Sequence, residues 1–429
     1  MTHKIVIIDP GHFHAALSLK EQHNDISPEV FVYAPEGPEL EQFLSIVNSF
    51  NERKVNPTKW ELQVYTGKDF LEASTREKKG DIAIIAGKNN SKMDTIHELH
   101  EAGFHILADK PLIVSDRKLE LLVNTLLKPN PLLMDIMTGR HELTNILRKE
   151  LLHNPKIFGN IQPSHHVKPS VYIESTHHLY KIVNNKPLLR PPWFFDTSVQ
   201  GEGTVDIPSH LVDLAHWTLF PEEKIDFDNE VSLKMANAWS TRVPLEVYKR
   251  ITNQKHFPNH LSNHVEADIL DFRCNSEIKY IVKSISVHIK SVWNLEIPEG
   301  GGDTYYSVFK GTLSNLIVRQ LPEKNYRLEL LVEPKTTKKS NHLLKEFDNV
   351  FRKWEQSYPG ISSYEEGKNI IINIPETLHS THEEHFSQVF HQFINFVNAD
   401  KLPEEEGPNM LTKYSLLVAA KKMTDIPSH

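Results

Sequence analysis

Short apolar runs punctuate the first 135 positions of the chain, at residues 4–9, 30–34, 62–66, 81–86, 105–108 and 132–135. Ile5-Val6-Ile7-Ile8 is typical. These runs carry little polar alternation, as strands covered on both faces do. Amphipathic stretches separate them. In 93–102, Ile96, Leu99 and His100 recur at helical spacing, and in 116–127 Leu119, Leu122, Val123 and Leu126 form one stripe. The alternation predicts an α/β fold over residues 1–138, a Rossmann-type doubly wound parallel sheet with ligands at the carboxyl ends of its strands.

Beyond about residue 155 the period changes. Segments 265–273, 277–293, 304–310, 314–320 and 326–332 read as strands, with Ile278, Tyr280 and Val282 on one side of an alternating stretch. One solvated face suits an antiparallel sheet. Helical patterns return at 208–220, 345–357, 385–397 and 409–423. Residues 139–429 are therefore expected to form an α+β domain with an open-faced, mostly antiparallel sheet. Such an exposed face favours a homodimer or homotetramer.

Composition narrows the function classes. With 48 basic and 56 acidic residues the net charge is −8, so the dense basic surface that nucleic acids and anionic membranes require is missing. Cys274 is the single cysteine, which excludes an intrachain disulfide and a thiolate zinc cluster. No apolar run approaches the ~20 residues of a membrane span, and Met1-Thr2-His3-Lys4 is a short lead-in for a signal sequence. The expected setting is the cytoplasm and the expected partner a small molecule.

Three constellations carry candidate chemistry. The turn Asp9-Pro10-Gly11-His12-Phe13-His14 follows the first strand, where a dinucleotide pyrophosphate meets free backbone N–H groups. Its three glycine slots fall on Asp9, Gly11 and His14. A carboxylate about 5 Å from a pyrophosphate oxygen repels it by about 3 kcal/mol at an effective dielectric of about 20. A protonated His12 or His14 offsets part of that. A plain strand-to-helix turn explains the same residues. Glu36, just past the second strand, is either the acid that meets a ribose or an exposed carboxylate.

The second constellation, Asp109-Lys110-Pro111-Leu112, follows the fifth strand. It puts Lys110 at the carboxyl edge of the sheet, within reach of a nicotinamide and a substrate hydroxyl, and Pro111 makes a cis bond accessible. The third runs from Gly201 through Gly203 and Asp206 to Pro208 and His210. A proline fits the first helical turn, which makes Asp206 a cap with His210 about one turn further on. The two suit a general acid/base pair, or equally a helix cap and an interior histidine.

Together these pieces resemble the Gfo/Idh/MocA family of nicotinamide-dependent sugar and cyclitol oxidoreductases. Residues 102–112 are similar to its A-L-x-x-G-K-H-V-x-x-E-K-P-L signature, with Asp109 for glutamate. Gly201–Asp213 resembles its G-G-G-x-x-x-D-x-G-x-H-x-x-D stretch, and Gly87-Lys88-Asn89 stands where the family has Thr-Pro-Asn. The resemblance implies Lys110, Asp206 and His210 as the catalytic residues, NAD or NADP as a cofactor that can be tightly held, and a carbohydrate-like substrate. In the implied mechanism His210 takes the hydroxyl proton, Lys110 orients that oxygen and Asp206 holds the imidazole. Asp9, Gly11, His12, Phe13, His14, Glu36, Asn89 and Lys110 would face the cofactor. The departures are Asp9, His14 and Lys88, together with Lys92 in place of a histidine three residues after Asn89. They all fall on the cofactor side, and keep open a lyase, hydrolase or epimerase acting through a keto-sugar, or a non-catalytic member.

A segment dense in histidine and aromatics, from His165 to Asp196, precedes the third constellation. Aromatic faces and polar tips suit sugar rings, which makes His166, Lys168 and Trp193 substrate candidates; loop packing accounts for them equally. His12, His14, His165, His166, Asp206 and His210 could converge on a divalent ion, but none has tight helical ligand spacing, so no metal is expected.

Overall fold

Residues 3–135 build one six-stranded sheet. Its strands, β1 (His3–Ile8), β2 (Ile26–Tyr33), β3 (Glu61–Tyr65), β4 (Ile82–Ile85), β5 (His105–Ala108) and β6 (Leu133–Asp135), lie in the order β3-β2-β1-β4-β5-β6, all parallel. The structure, a computed structural model, describes residues 2–162, 168–183, 186–298, 300–336 and 341–425. Ile5, Val6, Ile7 and Ile8 are fully buried, which is why β1 shows no alternation. The chain reverses direction across the sheet between β1 and β4. The loops after these strands therefore border the crevice where ligands of such sheets bind.

One face of this sheet is closed from far along the chain. The helix His382–Asn398 lays Phe386, Phe390, Phe393 and Ile394 on a core shared with Ile5, Ile7, Val32 and Ile84. It starts three residues before the predicted 385, at a capping box in which Thr381 and Glu384 satisfy each other's backbone N–H. Although it lies within 139–429, it belongs to the parallel sheet's core.

The second sheet is mixed. Its strands run Val231–Pro244, Ile269–Val282, Ile285–Glu296, Val171–Tyr180, Thr304–Lys310, Ser314–Gln320, Leu328–Pro334, Asn369–Asn373 and Ser362–Glu366. Neighbours are antiparallel except Ile285–Glu296 beside Val171–Tyr180, which are parallel. The expected strand 277–293 is in fact two, joined at Lys283-Ser284, where both residues take left-handed φ values of 45° and 69°. Val171–Tyr180 and Val231–Pro244 were not predicted. The first runs through the histidine-rich segment, its buried Val171, Ile173 and Leu179 spaced among polar residues.

The helix Ile207–Leu219 lies where the two sheets meet; Leu211 and Val212 share one core with Val6 and Ile8 of β1 and Ile289 of the second sheet. A buried charge network pins it. Asp213 accepts two bonds from Arg140 (2.7 and 2.8 Å) and one from Lys413 (3.2 Å); Arg140 also reaches Glu406 (2.8 Å) and Lys413 reaches Asp135 at the end of β6 (2.8 Å). Arg140 and Lys413 hold the Asp213 carboxyl well below the usual carboxylate range against the opposing effect of burial. No helix among the described residues is long and apolar enough to cross a membrane.

Candidate active site

Lys110 leaves β5 through a cis Lys110–Pro111 bond. Lys92, buried beneath it, donates to the Asp109 carbonyl (2.9 Å), the Pro111 carbonyl (3.2 Å) and Asn89 Oδ1 (2.5 Å). Burial pushes this amine down to about 8. The residue that replaces the family's histidine thus holds the loop that presents Lys110. Asn89 donates its amide to the carbonyl and side chain of Gln200 (2.8 and 3.1 Å). Its polar atoms tie two parts of the chain together rather than facing a cofactor.

Asp206 comes from the other side. Gly203 lies flat on the strand Ile269–Val282: a Cβ there would stand 2.4 Å from the Cys274 carbonyl carbon, and its N–H donates to the Arg273 carbonyl (3.0 Å). Only glycine allows this approach. It delivers Asp206 to the start of the Ile207–Leu219 helix, where the side chain makes no capping bond. Its carboxylate instead accepts from Lys110 Nζ at 2.8 Å, each side chain 9% exposed. The expected Asp206–His210 pairing is therefore replaced by a Lys110–Asp206 ion pair. His210 makes no side-chain hydrogen bond among the described residues. Burial, with the positive Lys110 and with His382, holds its imidazole well below the usual histidine range, so at neutral pH it is an unprotonated, unengaged base.

Three further groups complete the cleft and were not predicted. His382, from the helix that closes the parallel sheet, is lowered to about 3 by desolvation and by His14, His385 and Lys110. Arg190 stacks its guanidinium on Phe194 (4.6 Å) and Trp293 (5.0 Å) and is pushed down to about 10 by burial, against the pull of Asp206 and Asp303. Asp303 accepts from Lys181 (2.7 Å) and lies 3.1 Å from His178 Nδ1. The signal for His382 was present as the Thr381-x-x-Glu384 helix start; nothing local marked Asp303.

The pyrophosphate turn is already engaged. Gly11 N–H donates to the Asp9 carbonyl (2.7 Å), His12 N–H to the Ala86 carbonyl (2.9 Å) and His14 N–H to His12 Nδ1 (3.4 Å). The helix beyond it is a single turn, His14–Leu17. Asp9 has φ 42°, and burial raises its carboxyl above the usual range. The 188–194 segment covers the turn, with Trp193 3.8 Å from where a Gly11 Cβ would be. Between Gly11, His12, Phe13, Leu188, Arg190 and Phe194 about 10 Å³ remains, room for roughly one water. As arranged, these residues leave little free space over the turn.

The remaining expected residues scatter. Glu36 is exposed and accepts from Thr66 (3.3 Å). Lys168 is exposed just before Val171–Tyr180, whereas His178 and Lys181 reach the cleft from that strand's other end, about 30 Å along at ~3.3 Å per residue; it stands away from the cleft. Trp193 lies over the cofactor turn, its buried Nε1–H without a partner. His165 and His166 fall outside the described residues. A cavity of about 880 Å³ opens between Leu119, Val123, Phe227 and Leu411, and none of the catalytic candidates lines it.

Comparison with known proteins supplies the context. No curated protein matches the sequence. Two matching structures are each described as "putative oxidoreductase". One, from Parabacteroides merdae ATCC 43184, is 39% identical over 99% of this chain and 97% of that one, with a TM-score of 0.95. The other, from Thermotoga maritima, is 13% identical over 98% of both chains, TM-score 0.62. A levoglucosan dehydrogenase in complex with NADH and levoglucosan is 14% identical over 99% of this chain and 98% of that one, TM-score 0.63. Residues 147–425 match the family model described as "Putative oxidoreductase C terminal domain". The chain belongs to that oxidoreductase family, on the Gfo/Idh/MocA fold.

Proposed function

We propose that the protein acts on a secondary hydroxyl, or the matching ketone, of a sugar, sugar derivative or cyclitol, with Lys110, Asp206 and His210 managing the proton. The Lys110–Asp206 bond at 2.8 Å across two sheets carries this reading. Lys110, beside the Asp206 carboxylate, donates to the substrate oxygen and stabilises negative charge on it as the proton leaves. His210, neutral and unengaged, accepts that proton or returns it. Asp206 fixes the amine. The levoglucosan dehydrogenase complex supports a carbohydrate-like substrate and NAD or NADP as the hydride partner. A second reading, lyase or epimerase chemistry on a sugar that arrives as a ketone, is favoured by the engaged pyrophosphate turn, because proton transfer beside an existing ketone needs only this acid/base group.

Calorimetric titration with NAD, NADH, NADP and NADPH separates the two. Binding by any of them, lost in Lys110→Met, supports the oxidoreductase reading. No heat at millimolar concentration, with hydrogen exchange at the carbon next to a sugar ketone in heavy water, supports the second.

A further inference from the structure

The engaged turn leaves two histidines unexplained. His12 and His14, which follow β1, and Asp109, which follows β5, each offer one ligand atom, and these atoms all lie within 4.8 Å of one another. β4 separates β1 from β5 in the sheet, and the three groups converge across its end. We propose that His12, His14 and Asp109 bind a divalent first-row transition-metal ion beside Lys110 and Asp206.

Two imidazoles and a carboxylate suit zinc, iron, cobalt or nickel, whereas magnesium and calcium prefer all-oxygen sets. The ligands are already oriented. Asp109 Oδ2 lies 2.9 Å from His14 Nδ1, its Oδ1 accepts the Lys110 N–H at 2.9 Å, and Lys92 holds its carbonyl. Backbone and lysine partners of this kind fix a carboxylate for a metal. Phe386 packs on the His14 ring at 4.4 Å and Phe13 at 4.6 Å, an apolar wall behind the site. Three protein ligands leave positions for a substrate oxygen, which the ion would hold next to the Lys110 amine. The inference stands apart from the choice of redox partner, since metal binding is measured without turnover.

The test strips the full chain with a chelator and titrates it with Co²⁺, read by visible ligand-field absorption, then displaces the cobalt with Zn²⁺. One Co²⁺ per chain is expected. His12→Gln and His14→Gln should each weaken it by about 100-fold or more, with thermal melting unchanged. Asp109→Asn, which keeps the side chain's shape, should weaken it similarly, and the remote His260→Ala should not. Absence of a stoichiometric site, or wild-type affinity in the His12→Gln/His14→Gln double variant, overturns the proposal.

Discussion

The amine of Lys110 and the carboxylate of Asp206 meet at 2.8 Å, although one belongs to a parallel sheet and the other reaches it over a mixed sheet. Both are nearly sealed from solvent. Removing one partner of a buried pair strands the other charge and costs about 3–5 kcal/mol, whereas replacing both with apolar groups is often neutral. Lys110→Met and Asp206→Asn should each lower stability to urea by about that amount. The double variant Lys110→Met/Asp206→Leu should recover most of it while remaining inactive. Restored activity along with stability would make the pair a mere strut.

His210→Ala removes no hydrogen bond that the fold uses. Its melting temperature should stay within a few degrees of the parent, and turnover should fall by about 10²–10⁴, the usual contribution of a positioned base. Matching losses of stability and turnover would instead mark it as an interior histidine.

Gly203→Ala tests how Asp206 is delivered. The added methyl would lie 2.4 Å from strand backbone, so the approach must open, at a cost of about 1–3 kcal/mol or more. Turnover should drop with it. Gly407→Ala, where a Cβ meets nothing within 4 Å, should be neutral or stabilising by up to about 1 kcal/mol.

Acid sensitivity follows from buried histidines. Burial pushes His216 down to about 4, with Asp213 pulling it up and Lys413 pushing it down; His385 is also lowered to about 4, by burial and by His141 against Glu384. In the unfolded chain both protonate near 6.5. Their contribution is therefore whole above pH 6.5 and is lost as pH falls towards 4, at about 1.4 kcal/mol per pH unit for each. Asp109 and Asp213, held below the carboxylate range, lose their contributions only at still lower pH. Denaturation curves between pH 7.5 and 4.5 should show this slope, reduced by one proton in His216→Gln. A flat profile would contradict it.

The parallel sheet was legible because its strands are covered on both faces: Ile5 to Ile8 and Ile82 to Ile85 leave no polar interruption. Lys110, Asp206 and His210, the proposed catalytic groups, stood out as short motifs next to strand ends and glycines. The second sheet was only half legible. Lys283-Ser284 turns a hairpin without the Asn or Gly that usually marks one, and Val171–Tyr180 carries Glu174, His177 and His178 on a strand central in its sheet. The partner of Asp206 was misjudged because sequence distance favours His210, one helical turn away, over Lys110, 96 residues away. Asp303 reaches the cleft by tertiary packing alone, which leaves no local signature, and the Thr381-x-x-Glu384 start marked the helix of His382 but not its place in the cleft.

The most direct measurement is mass spectrometry of a panel of sugars, cyclitols and their keto forms incubated with the protein, NAD(P) and divalent metal. A product changed by two hydrogens, by loss of water or by exchange at a carbon beside a ketone should form with the parent and disappear in Lys110→Met and His210→Ala. A product formed equally well by both variants would contradict the roles proposed for Lys110 and His210.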